Sequence, residues 1–166
     1  MKSLTIIFVF LIAIASSESL ASPKSKPNWQ QHEILAYDFF MAQKENGGTA
    51  NFPSIFVFNH KNQLTGVTLK ANSGLFENIN FHNLPTRALP INNKFEGVLG
   101  IIKPLLDTST KSKGSHSVVL IMPSKTMVNC PPCTDAFNKL NKLYVDNPNK
   151  SVHLKLVTAV TKSLDL

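Results

Sequence analysis

Apolar positions along the chain come in unbroken runs, in alternations and at helical spacing, and each pattern predicts a different element. The first run, residues 4–15, is interrupted only by Thr5. It follows Lys2 and gives way to small residues, with Ala15/Ser17 or Ser19/Ala21 placed as −3/−1 pairs for signal peptidase. A run of about 12 apolar residues is too short for a hydrocarbon core roughly 30 Å thick. Residues 1–21 therefore read as a secretory signal and not as an anchor. Residues 22–28 (SPKSKPN) are a polar, proline-bearing lead-in, expected to be flexible. No later stretch is long and apolar enough to span a membrane. The pattern predicts export to a secreted or periplasmic location, without stable membrane insertion.

From residue 29 onward the patterns are those of a folded domain. Trp29, Ile34, Tyr37 and Met41 fall on one helical face and Asn46-Gly47-Gly48 is a stop signal, which predicts a helix over 29–45. Residues 54–59 (SIFVFN) are β-branched and aromatic and predict a buried strand. After a polar turn at 60–63, Val67, Leu69 and Ala71 alternate with polar neighbours, as a half-exposed strand over 64–71 would. The two strands suit an antiparallel hairpin. Residues 72–93 carry Asn and Pro with no clean period, so this connector is either a functional loop or hides an element. Phe95, Val98, Leu99, Ile102, Leu105 and Leu106 then lie at helical spacing, with Pro104 expected to kink or end the helix.

Residues 118–122 (VVLIM) are continuously apolar, as in a strand covered on both faces. Residues 134–145 place Phe137, Leu140 and Tyr144 on one helical face, stopped by Asp146-Asn147-Pro148, and residues 152–160 alternate as a strand. The last three elements make a βαβ unit, whose strands should be parallel. The expectation is a single α/β domain over 29–166, with a β-hairpin and a βαβ unit in one mixed sheet flanked by helices.

Composition narrows the classes. With 43% apolar and 16% charged residues the chain is not a disordered polyelectrolyte, and two cysteines cannot build a disulfide framework. The net charge of +7 is unchanged when residues 1–21 are removed, and Arg87 is the one arginine among its basic residues. The sign favours nucleic acid, anionic lipid or acidic glycans. The lysines are spread along the chain, however, without a basic run, and read mainly as solvated surface. No Ser/His/Asp spacing, glycine-rich phosphate loop or EF-hand is present. His32-Glu33 lacks the second histidine of a zinc-protease helix, since Ala36 stands in its place.

The candidate chemistry lies at Cys130-Pro131-Pro132-Cys133, between a predicted strand and a predicted helix. That is the carboxyl end of a strand in a parallel unit, where ligands gather. Pro131 and Pro132 fit a first helical turn. Cys130 then falls near the N-cap and Cys133 inside the turn, where the helix dipole and free N–H groups favour a thiolate. The place suits a metal-ligand pair, a redox dithiol, a reactive nucleophile or a tight structural disulfide.

Two resemblances bear on it. The residues SVVLIM and NCPPCTDAF resemble the active-site stretch of thioredoxin-like proteins, which implies thiol–disulfide exchange. That fold also asks for a hairpin, a helix and a cis-proline loop after the redox helix, but only 33 residues follow Cys133, and Asn129 replaces the usual tryptophan. The order of elements over 29–160 resembles the cytidine-deaminase-like fold. This second resemblance implies Zn²⁺ bound by Cys130 and Cys133, with Glu96 as the catalytic proton shuttle. Lys94 stands where the metal-binding histidine belongs, leaving His82 as the third ligand. The implied function is that of a secreted nucleobase or nucleoside deaminase, or an inactive relative, with nucleic acid or a nucleoside as partner. A third reading is an inert secreted binding module clipped by its CxxC disulfide.

Overall fold

Val118, Val119, Leu120 and Ile121 offer no polar face, and they form the middle of strand β4 (His116–Pro123), buried at the centre of the molecule. The computed structural model describes residues 26–45, 51–69, 74–90, 95–106, 113–146 and 148–161. The expected signal and most of the lead-in lie outside the described residues. Strand β4 is flanked by β5 (Val152–Val160), which is parallel to it, and by β2 (Ser54–Phe58), which is antiparallel. Strand β1 (Trp29–Leu35) pairs in parallel with the far side of β5, and β3 (Leu64–Thr68) pairs antiparallel with β2. The result is one five-stranded mixed sheet in the order β1-β5-β4-β2-β3.

Side chains alternate across a strand, so each strand serves two cores. Phe56, Phe58, Val119, Ile121 and Val157 face helices α1 (Ala36–Glu45) and α3 (Glu96–Ile102), meeting Phe39, Val98, Leu99 and Ile102. Their neighbours Ile55, Val57, Val118, Leu120 and Leu154 face α4 (Pro131–Asp146) and the short α2 (Gly74–Glu77), meeting Ala136, Leu140 and Phe76. The α/β class, the hairpin and the parallel β4–α4–β5 unit are as the sequence predicts.

One element differs from expectation. The helix predicted over 29–45 is a strand followed by a helix. Residues 29–35 form a seven-residue parallel ladder with β5, from Trp29↔Leu154 to Leu35↔Val160. Trp29 and Ile34 consequently point to opposite cores, and Tyr37 is 71% exposed instead of lying on a buried helical face. Long-range pairing overrode a local spacing that was weak to begin with, since four polar residues separate Trp29 from Ile34.

The connector hides an element: α2 and the irregular residues after it bury Phe76, Ile79, Phe81 and Leu84 against the α4 side of the sheet. Pro104 ends α3 by tightening it, so that Lys103–Leu105 continue as a 3-10 turn.

The expected turn between β2 and β3 is organised by Asn59, whose Oδ1 accepts from the backbone N–H of Lys61 and Gln63. Asn62 takes the left-handed conformation there, with φ of 55°, which asparagine tolerates better than most residues. No helix among the described residues is long and apolar enough to cross a membrane.

Candidate functional site

Helix α4 starts where β4 hands over the chain. Ser124 extends the ladder by donating its N–H to Ala159 O at 2.8 Å, and its carbonyl accepts from Met127 and Val128 at 3.0 and 3.2 Å. That tight turn delivers Cys130 to the helix cap. The carbonyl of Cys130 accepts the N–H of Cys133 at 3.0 Å and of Thr134 at 3.2 Å, closing the first turn. Pro131 and Pro132 occupy that turn and are exposed, as expected where a missing N–H costs little.

Cys130 and Cys133 are joined in a disulfide with their Cα atoms 5.3 Å apart. The two sulfurs differ in access. Cys133 is fully buried on the face of α4 that carries Ala136 and Leu140, whereas Cys130 is partly exposed. With Cys133 sealed in the core, the bond can be approached only from the side of the partly exposed Cys130. Attack there expels Cys133 as the leaving group.

The surroundings of this sheet end are apolar. The register Ser54↔Ile121 brings the start of β2 alongside the carboxyl half of β4. Buried Pro53, joined to Phe52 by a cis peptide, leads into that strand. Leu35, Tyr37 and Val128 are exposed large apolar side chains; Leu35 ends β1, Tyr37 lies just beyond it and Val128 precedes Cys130. Leu35, Ala36, Tyr37, Val160 and Thr161 line a cavity of about 300 Å³ beyond the ends of β1 and β5.

The other residues proposed for a zinc site do not join the cysteines. Glu96 is exposed at the start of α3, which packs on the opposite face of the sheet from α4. His82 is exposed, and its neighbour Phe81 is held by Asn149, whose Nδ2 donates to Phe81 O at 2.8 Å, and by the ring of Tyr144, 6.2 Å away. Both anchors lie at the far end of α4, which at about 1.5 Å per residue is more than 15 Å from Cys133.

His116 begins β4 at the opposite end of the strand from Cys130, and Lys94 lies outside the described residues. Among the described residues no three His, Cys, Asp or Glu side chains are grouped to hold a metal ion. With both sulfurs joined to each other, the residues carried over from the deaminase resemblance do not fit a zinc site.

Sequence reasoning missed the part β2 plays at this end of the sheet. Nothing local signals it, because Pro53 and Ser54 meet β4 only through the ladder. The chain was compared with models of protein families, with curated proteins and with solved structures, and it matches none of them.

Proposed function

We propose that this is an exported thiol–disulfide exchange protein whose working group is the Cys130–Cys133 disulfide. The observation that carries the reading is the unequal burial of the two cysteines at the start of the helix that follows the central strand. A purely structural clip gains nothing from leaving one sulfur accessible. An exchanging disulfide needs it.

The thioredoxin resemblance asks for a hairpin and a proline loop beside the redox strand. A hairpin and a proline do lie beside β4, but they precede the motif in the chain, and the helix that the resemblance also asks for after the motif has no counterpart among them. β2 lies antiparallel to β4, β3 follows it, and Pro53 stands at the entrance. A disulfide also accords with an oxidising, exported address.

The chemistry is a balanced pair of displacements. A substrate thiolate attacks Cys130 Sγ, and the Cys130–Cys133 bond breaks. Cys133 leaves as a thiolate that takes up a proton, and a mixed disulfide forms on Cys130. A second substrate thiolate then attacks the substrate sulfur of that bond, releasing Cys130 as a thiolate and the substrate as a disulfide. The reverse sequence reduces a substrate disulfide. Deamination requires Glu96, His82 and both cysteines to act at one place, and no observation favours it or its nucleoside or nucleic-acid partner.

The test is reduction of insulin by the mature protein with a dithiol as electron source. Turnover is expected, is lost in Cys130→Ser, and is replaced in Cys133→Ser by a trapped mixed disulfide on Cys130. Absence of turnover in the parent protein, with the disulfide still present, overturns the reading.

A further inference from the structure

We infer that the site is built to give electrons to disulfides and not to take them from thiols, an inference that rests on the exchange reading above. The argument is an inventory of donors at the start of α4. A helix leaves its first four N–H groups without intrahelical partners. In CxxC proteins those donors stabilise the thiolate of the capping cysteine, and a stabilised thiolate makes the disulfide a strong oxidant.

Here the inventory comes out almost empty. Pro131 and Pro132 have no N–H to offer. The next donor, Cys133 N, points to the carbonyl of Cys130 at 3.0 Å, and Thr134 N makes the first regular helical bond to the same carbonyl at 3.2 Å. A capping side chain ordinarily accepts from the second or third helical residue. The second is Pro132, and the third, Cys133, has its N–H engaged by the main chain. The turn Pro131-Pro132-Cys133-Thr134 carries no charged side chain to substitute.

Burial adds to the effect. Cys133 has no solvent exposure, and burial disfavours a charged sulfur. Neither thiolate of the reduced pair is well supported, so the disulfide is the favoured state. Loading the site with electrons requires a strong donor, a second dithiol, which is itself oxidised to a disulfide. Once loaded, Cys130 attacks a substrate disulfide and releases one substrate thiolate. Cys133 then attacks Cys130 in the mixed disulfide and releases the second. Two thiols of this chain become a disulfide and one substrate disulfide becomes two thiols, so electrons and protons balance.

The experiment equilibrates the mature protein with mixtures of reduced and oxidised glutathione at neutral pH, then traps free thiols by alkylation and reads the reduced fraction. The parent protein is expected to remain a disulfide even in excess reduced glutathione, and to be reduced by a dithiol. Pro132→Ala returns one N–H at the position that faces a capping side chain. It is expected to shift the equilibrium toward the dithiol by about tenfold or more, the scale of one hydrogen bond to a charged group.

Pro131→Ala, whose N–H faces away from the cap, is the control and should shift it far less. Full reduction of the parent by modest reduced glutathione overturns the inference, as does a Pro132→Ala shift no larger than that of Pro131→Ala. These outcomes are separable from the exchange reading, which stands or falls on insulin turnover. A protein that turns over insulin yet sits on the dithiol side sinks only the direction proposed here.

Discussion

Trp29 Nε1 donates to Asn141 Oδ1 at 2.7 Å, tying the first residue of β1 to a helix 112 residues further along the chain. The same indole lies against Phe137 with ring centroids 5.2 Å apart. These contacts fasten the edge strand to α4, the helix that carries the disulfide. Trp29→Phe keeps the ring packing and loses the hydrogen bond, and it is expected to cost about 1 kcal/mol. Trp29→Ala removes both and is expected to cost about 3 kcal/mol, toward the lower end for large aromatics because Trp29 is only partly buried. Urea denaturation followed by far-ultraviolet circular dichroism checks both. Equal costs for the two variants would show that the ring contributes nothing.

Lys155 presents an unusual economy. It is fully buried in β5, and its Nζ donates to Gln30 Oε1 on the neighbouring strand. Gln30 is exposed, so its amide can turn to water when the lysine is removed, and replacing a buried charged group by an apolar residue of similar shape can be neutral or stabilising. Lys155→Met is therefore expected to leave stability within about 1 kcal/mol of the parent or to raise it. Gln30→Leu is expected to lower it by about 1 kcal/mol, because the amine loses a partner. Denaturant midpoints of the two variants test the asymmetry, and a Lys155→Met loss well above that of Gln30→Leu contradicts it.

Much of the frame was legible because it depends on local chemistry. Four consecutive apolar residues can be only an interior strand or helix, and the Pro-Pro pair dates the start of α4 to within a residue. The alternation over 152–160 matches β5 as observed. The illegible parts depend on partners far away in the chain. Nothing within WQQHEIL reveals a parallel ladder with residues 154–160. The residues of α2 and its continuation look like a loop because their apolar side chains follow no period, yet they cap a core.

The site divides in the same way. CPPC announced itself, whereas Glu96 and His82 were attached to it through an assumed order of elements that the two faces of the sheet do not honour. The hairpin was read correctly as a hairpin. Its place beside β4 was hidden because only the ladder, and nothing local, brings the two together.

Asn59 is a compact test of how the turn after β2 is held. Buried to 5% exposure, its Oδ1 accepts two backbone N–H groups while its Nδ2 donates to Gln63 Oε1 at 3.1 Å and to Thr86 O at 3.2 Å. It thus joins the hairpin loop to the segment that follows α2. Asn59→Ala removes all four hydrogen bonds at once; their partners belong to exposed residues that water can reach, so the expected loss is about 1–2 kcal/mol. Asn59→Asp keeps the accepting oxygen and loses the donors, so the loss should be smaller. Thermal and urea unfolding of both variants decides; equal losses would place the stabilisation in the Nδ2 contacts alone.

The disulfide itself should matter little to folding because its loop is so short, so exchange and not stability alone separates a working bond from a structural clip. Cross-linking cysteines three positions apart closes a very short loop. The chain-entropy relation gives about 2 kcal/mol for a loop that small, near the bottom of the usual range. Reduced protein, or the Cys130→Ser/Cys133→Ser double variant, is therefore expected to stay folded at ambient temperature with its far-ultraviolet spectrum unchanged. Its urea midpoint should fall by an amount corresponding to about 2 kcal/mol or less. Thiol titration of the unreduced protein in denaturant should find no free thiol, as the bonded pair requires. The comparison that decides is between stability and turnover. If the fold survives loss of the bond while exchange is abolished, the bond exists for chemistry. If the fold collapses with the bond, the disulfide is a clip, and the unequal exposure of Cys130 and Cys133 is incidental to it.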